Sequence, residues 1–115
     1  MAMLRHHCIC RFYGAVIEPP VFMLLLEYCA LGSLDRLLLD PALTLTLSWD
    51  SALRAMAIDA AKALVYVHAL HLLHRDVKCA NLLVTALMCI KLGDFGEARR
   101  MAREETLTQV GTFAW

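Results

Sequence analysis

Apolar residues dominate the first third of the chain and fall into two short runs. Residues 12–17 and 21–26 are rich in β-branched, aromatic and leucine side chains, which favour strands. Pro19 and Pro20 separate the runs, and proline cannot donate a hydrogen bond inside a sheet. The pattern therefore predicts two strands joined by a turn at the prolines.

A helical pattern follows these strands. Gly32 breaks the second strand, Ser33 can cap a short helix, and Pro41 ends that helix. Beyond Ser48, a good helix N-cap, apolar residues recur at steps of three or four, which indicates a long helix with one buried stripe. The stripe consists of Leu53, Met56, Ala60, Leu64, Val67 and His71.

A polar cluster then interrupts the apolar background in the stretch HRDVKCANLLV, residues 74–84. A solvated turn would account for aspartate and asparagine, because their side chains bond to the local backbone. It would not account for an arginine, an aspartate and a lysine within four residues of a histidine. The cluster therefore indicates a chemical site, built from His74, Arg75, Asp76, Lys78 and Asn81.

The rest of the chain alternates between short strands and charged segments. Strands are expected near residues 82–84 and 88–92, and the tripeptide Asp94-Phe95-Gly96 follows them. The remaining tail is charged and lacks a strong period, which predicts a mobile segment.

Composition narrows the function classes. The chain has 115 residues, which suits one domain or part of a larger one. Eleven basic residues balance eleven acidic ones, so electrostatic binding to nucleic acid or to an anionic membrane is not expected. No uncharged apolar run reaches the roughly 18 residues that a membrane span requires. The five cysteines are odd in number and irregularly spaced, which indicates reduced thiols in a cytoplasmic protein.

The stretch HHCIC near the start offers possible metal ligands in His6, His7, Cys8 and Cys10. Zinc sites usually combine a C-x2-4-C spacing with a second, distant pair of ligands. The sequence contains no such second pair. We therefore do not expect a metal site there.

Three motifs in order, HRDVKCANLL, KLGDFGEAR and GTFAW, resemble the protein kinase family. The catalytic loop of that family reads H-R-D-x-x-x-x-N, and Asp76 and Asn81 have this offset. A lysine two residues after the aspartate and the GTFAW stretch resemble the tyrosine-kinase-like serine/threonine group, which includes the mixed-lineage kinases. The resemblance covers essentially the whole chain and implies an α+β, protein-kinase-like fold.

The resemblance also implies a role for each charged residue of the cluster. Asp76 would accept the proton of a protein substrate's hydroxyl, and Lys78 would offset charge on the transferred phosphate. Arg75 would face the activation segment. Asn81 and Asp94 would hold the Mg²⁺ ions that bridge the phosphates of ATP, because magnesium prefers oxygen ligands.

Further residues receive roles from the same match. Thr112 would bond to the catalytic aspartate, as in serine/threonine kinases. Phe12, His74 and Phe95 would belong to a stacked apolar spine.

The stretch LLLEYCALGSL resembles the hinge that binds the nucleotide. Leu26 would be the gatekeeper, and the backbones of Glu27 and Cys29 would bond to adenine. Ser33 would lie near the ribose, and Leu83 would form the floor of the adenine site.

The resemblance covers only part of a kinase domain. Residues 1–30 would supply N-lobe strands and the hinge, and residues 31–115 would supply the start of the C-lobe, the catalytic loop, the D-F-G motif and the activation segment. The chain contains neither G-x-G-x-x-G nor V-A-I-K, so we expect it to be truncated and inactive alone. Two functions remain open, a serine/threonine kinase or a non-catalytic kinase-like module that binds proteins.

Overall fold

The computed structural model describes residues 4–44 and 47–101. Two strands, β1 (Phe12–Glu18) and β2 (Val21–Leu26), form an antiparallel hairpin. Glu18 lies opposite Val21, so the two prolines occupy the turn and the predicted hairpin is confirmed. Its apolar side chains lie largely in solvent, with Ile17 74% and Phe22 71% exposed.

Two short helices follow the hairpin, α1 (Leu34–Leu39) and α2 (Pro41–Thr44). Ser33 occupies the N-cap position of α1, but its side chain makes no capping hydrogen bond. Pro41 opens α2, where the missing amide of a proline costs nothing. The carboxylate of Asp40 accepts the amide of Ala42 at 2.9 Å.

The long helix is α3 (Arg54–Ala69), and a π-helical turn (Trp49–Leu53) precedes it. The carbonyl of Ser48 accepts three successive amides, those of Ser51, Ala52 and Leu53, so Ser48 begins the turn through its backbone. The expectation that His71 continues the buried stripe is wrong. The helix ends at Ala69, and His71 has a φ of 54° and is exposed.

Two further pairs of strands complete the fold. Strands β4 (Leu82–Val84) and β5 (Ile90–Leu92) are antiparallel, which confirms the two strands predicted before the D-F-G motif. Strands β3 (Leu72–Leu73) and β6 (Arg99–Arg100) also pair. The expectation of a mobile tail is therefore wrong for residues 97–101. Pairing with β3 orders this stretch, and the amide of Met101 donates to the carbonyl of His71 at 2.8 Å.

The core consists of two clusters that share α3 and β5. One contains Cys8, Ile9, Ala63, Val67 and Leu92. The other contains Leu34, Leu37, Met56, Val84 and Ile90. Helix α3 and strand β5 thus form the frame that holds the loop of residues 74–81.

Two compositional expectations can be compared with this fold. Among the described residues, no helix is both long and apolar enough to cross a membrane. All five cysteines lie in the described residues and none forms a disulfide.

Candidate active site

The polar loop lies between β3 and β4, and His74 anchors it. His74 is 2% exposed, and its Nε2 lies 2.8 Å from the carbonyl oxygen of Gly93. Its ring also meets the edge of Phe95 at a centroid distance of 4.8 Å. The loop is thereby attached to the D-F-G segment. Phe12 lies exposed on β1, so within the described residues the expected stack of three rings contains only His74 and Phe95.

Asp76, Lys78 and Asn81 are in direct contact. Lys78 Nζ lies 2.8 Å from Asp76 Oδ2, and Asn81 Nδ2 donates to the same oxygen at 3.0 Å. Asn81 Nδ2 also donates to the backbone carbonyl of Asp76 at 2.8 Å. A 3₁₀ turn (Cys79–Asn81) reverses the chain and returns Asn81 to Asp76. The spacing seen in the sequence therefore corresponds to one joined group of polar side chains.

The backbone of Gly93 brings Asp94 close to this group. The amide of Gly93 donates to the carbonyl of Asn81 at 2.8 Å. A Cβ at Gly93 would lie 3.3 Å from Leu83 Cδ1, which is tighter than ordinary contact, so the close approach favours glycine. Asp94 is exposed, has a φ of 52°, and accepts the Gly96 amide on Oδ1 at 3.3 Å. The sequence reasoning did not identify Gly93, although it lies within the KLGDFG motif.

Arg75 contacts the segment that follows the D-F-G motif. Its Nε donates to the carbonyl oxygen of Glu97 at 2.6 Å, and its Nη2 lies 3.6 Å from the Glu97 carboxylate. Arg75 has a φ of 69°, so this contact accompanies an uncommon left-handed backbone. Sequence reasoning missed Glu97, and its place directly after D-F-G was the available signal. Thr112 lies outside the described residues, so its contact with Asp76 stays a prediction.

The segment that resembles a hinge lies against β4. The amide of Leu31 donates to the carbonyl of Val84 at 3.0 Å, and the Val84 amide donates to the carbonyl of Gly32 at 2.7 Å. Ser33 and Leu83 face each other in a β-bridge. The structure thus brings together two of the expected nucleotide-binding residues that are 50 positions apart in the sequence.

The start of this segment contacts β5 through Lys91 and also contacts Arg11, the residue that precedes β1. The Glu27 carboxylate lies 3.0 Å from Lys91 Nζ and accepts the Arg11 amide at 3.1 Å. The Glu27 amide donates to the Arg11 carbonyl at 2.8 Å. Leu26 ends β2 and is exposed, whereas Cys29 is buried. The ion pair between Glu27 and Lys91 joins distant residues and had no local signal in the sequence.

The surroundings of three titratable groups near the hinge-like segment shift their pKa values. Burial raises the pKa of Cys10 to about 11, and the neighbouring Cys29 and Glu27 add to this effect. Burial also raises the pKa of Cys29. A hydrogen bond from the Ser33 hydroxyl lowers the pKa of the Asp35 carboxyl. The two thiols are therefore protonated at neutral pH.

Comparison with known proteins gives a consistent match. A family model described as protein tyrosine and serine/threonine kinase matches residues 1–113. A Dictyostelium discoideum protein named "Probable serine/threonine-protein kinase drkC" is 39% identical over the whole chain, which spans 16% of its length. "Serine/threonine/tyrosine-protein kinase HT1" of Arabidopsis thaliana is 33% identical over the whole chain, which spans 29% of that protein. The chain thus spans less than a third of the length of these curated relatives.

Proposed function

Because the chain belongs to the protein tyrosine and serine/threonine kinase family, we propose that it forms part of a serine/threonine kinase. The reaction would transfer the terminal phosphoryl group of ATP to a hydroxyl of a protein substrate. The observation that carries this proposal is the joined group of Asp76, Lys78 and Asn81. Serine/threonine kinases among the relatives support the choice of hydroxyl acceptor.

Asp76 acts as the general base in this proposal. Its carboxylate would accept the proton of the attacking hydroxyl, and positioning of this kind is the main contribution a protein makes to phosphoryl transfer. Asn81 orients the carboxylate through two hydrogen bonds. Lys78, 2.8 Å from the carboxylate, provides a positive charge beside the position where the phosphate would be transferred.

The donor atoms at the site fit magnesium. Asn81 directs its Nδ2 at Asp76, so its Oδ1 is the atom it can offer to a cation. Asp94 presents an exposed carboxylate one residue from the Gly93 amide that bonds to Asn81. Amide and carboxylate oxygens are the ligands that hard cations prefer. A bound Mg²⁺ supplies charge balance to the phosphates of ATP.

The nucleotide would lie against the surface that the hinge-like segment and β4 form together. The bridge between Ser33 and Leu83 supports this location, because it brings the expected ribose contact and the expected adenine floor together. Leu26, Glu27 and Cys29 would line the inner edge of the same site. We also infer a cytoplasmic location, since five unpaired thiols are typical of a reducing compartment.

A chimeric kinase tests the proposal. The chain would replace the aligned segment of the drkC kinase, and phosphoryl transfer to a generic protein substrate would be measured with labelled ATP. We expect activity that falls by at least about a hundredfold in Asp76→Asn, the range associated with a general base. A folded chimera in which Asp76→Asn retains full activity would overturn the assignment.

A non-catalytic interaction module remains a second candidate. The observation in its favour is the exposed apolar hairpin, in which Ile17, Phe22 and Leu24 lie largely in solvent. Large exposed apolar surfaces often mark binding sites for proteins. A chimera that binds ATP and melts cooperatively but transfers no phosphate would favour this function over catalysis.

A further inference from the structure

A tight turn near the start of the chain brings three potential metal ligands together. The amide of Ile9 donates to the carbonyl of His6 at 3.0 Å, which closes a turn around His7 and Cys8. The ligand atoms of His6, His7 and Cys8 all lie within 4.8 Å of one another. The ring centroids of His6 and His7 are 4.2 Å apart. Neighbouring residues in a strand would instead point to opposite faces.

We propose that this turn binds a zinc ion through the imidazoles of His6 and His7 and the sulfur of Cys8. Two nitrogen ligands and one thiolate suit a borderline cation such as Zn²⁺ rather than a hard one. Ligand atoms around a tetrahedral zinc lie about 3.4 Å apart, given bond lengths of roughly 2.0 to 2.3 Å. Rotation of the exposed His7 side chain can shorten the distances between the ligand atoms, now up to 4.8 Å, to this value. On binding, the Cys8 thiol releases its proton to solvent and the thiolate sulfur bonds to the ion.

The backbone of the turn is already held in place. The carbonyl of Cys8 accepts the Leu92 amide at 2.8 Å, and the Cys10 amide donates to the Leu92 carbonyl at 2.9 Å. Cys8 is 1% exposed and packs in the core, while His6 stacks on Tyr66 at 4.8 Å. Two of the three ligands are therefore fixed before any ion binds, which lowers the ordering cost of binding.

Two of the basic residues near the turn, Lys91 and Lys62, have acidic partners that offset their charge. Lys91 donates to the carbonyl of His7 at 2.9 Å, but its charge is paired with Glu27 at 3.0 Å. Lys62 lies 3.6 Å from Asp59. The Nδ1 atom of His6 accepts the Cys8 amide at 3.2 Å, so a lone pair of the ring already faces the residue that supplies the sulfur. The ion would replace this amide at Nδ1.

A cleft beside the turn leaves space for a fourth ligand. It has a volume of about 420 Å³ and is lined by both histidines, Glu27 and Lys91, among other residues. Zinc sites with three protein ligands keep an open position for water or a small ligand. The residues that line the cleft include Glu27 of the hinge-like segment but none of Asp76, Lys78 and Asn81, so the turn is distinct from the proposed catalytic group.

Cobalt(II) substitution provides the test, because a cobalt–thiolate bond gives a charge-transfer band in the near ultraviolet. The full chain, freshly reduced, would be titrated with Co²⁺ and then with Zn²⁺. We expect one equivalent of cobalt to give the band and zinc to remove it. Cys8→Ser should abolish the band. His7→Gln should weaken cobalt binding at least about tenfold, since loss of even an outer-shell partner costs 10- to 100-fold.

Matched variants outside the turn separate this site from adventitious binding. Cys89→Ser and His68→Gln change an exposed thiol and an exposed imidazole, and both should bind cobalt like the unmodified chain. Absence of the band at saturating cobalt would overturn the proposal. So would a band that survives Cys8→Ser or that depends on Cys89. Because His7 is exposed, His7→Gln tests the site without disturbing the core.

Discussion

The side-chain amide of Asn81 holds two oxygens of Asp76, the backbone carbonyl at 2.8 Å and the carboxylate Oδ2 at 3.0 Å. Asn81 is buried, so these bonds form where water cannot easily replace them. One residue thereby fixes both the backbone and the side chain of the proposed general base.

Replacement of Asn81 should destabilise the fold as well as the site. Asn81→Ala removes two hydrogen bonds to Asp76, which together contribute about 1 to 3 kcal/mol at roughly 0.5 to 1.5 kcal/mol each. We expect the free energy of unfolding in urea to fall by that amount. Arg54→Gln, on the exposed start of α3, is the control and should change it by less than about 0.5 kcal/mol. An equal effect of both variants would contradict the structural role of Asn81.

Arg75 should control the order of the segment after the D-F-G motif. Its hydrogen bond to the Glu97 carbonyl fixes the chain just before β6, and hydrogen bonds of charged groups contribute about 1.5 to 3 kcal/mol. In Arg75→Ala we expect the Met101 amide, which bonds to His71 across this segment, to exchange its hydrogen roughly 10- to 100-fold faster.

The matched variant for this experiment is Glu97→Gln. It keeps the carbonyl acceptor and removes only an ion pair of 3.6 Å to a carboxylate that is more than half exposed, which should have a small effect. If Glu97→Gln speeds exchange as much as Arg75→Ala, the side-chain ion pair rather than the carbonyl contact orders the segment.

The hairpin should cause the chain to associate. Ile17 and Phe22 lie directly opposite each other and are 74% and 71% exposed. Exposed apolar patches of this kind drive association. In size exclusion with light scattering, the double variant Ile17→Thr with Phe22→Thr should shift the chain towards monomer, because threonine retains strand propensity while removing apolar surface.

Leu87→Thr is the control for association. Leu87 is 85% exposed but lies in the turn between β4 and β5 and is not part of the hairpin, so its replacement should leave the association state unchanged. A monomeric unmodified chain at high concentration would show that the hairpin does not self-associate.

The cysteines should differ widely in reactivity. With a pKa of about 11, only about one Cys10 thiol in a thousand is a thiolate at pH 8, and Cys10 is also buried. Cys89 is exposed and should react first with iodoacetamide, as followed by peptide mass spectrometry. Because the thiolate fraction increases with pH up to the pKa, labelling of Cys10 should accelerate between pH 8 and 10.

Cys89→Ser should remove the fast phase of alkylation and leave the slow phase unchanged. Labelling of Cys10 at the rate of Cys89 at pH 8 would mean that the segment around Cys10 opens readily in solution.

Local patterns in the sequence determined the hairpin, the long helix and the polar loop. Strand propensity and the two prolines are sufficient to predict the hairpin of β1 and β2, because a short turn joins these two strands. The offset between Asp76 and Asn81 indicated the active-site loop, since the motif is contiguous. The apolar period extends to His71, whereas α3 ends at Ala69 and His71 is exposed.

Only the tertiary structure decided which distant residues meet. The contacts of Glu27 with Lys91 and of β3 with β6 join segments whose local composition carries no sign of the partner. The position of the turn at His6, His7 and Cys8 also depends on a distant segment, because the backbone of β5, more than 80 residues away, holds it in place. Local propensity reflects the preferences of neighbouring residues, whereas these contacts depend on the packing of α3 and β5 into one core.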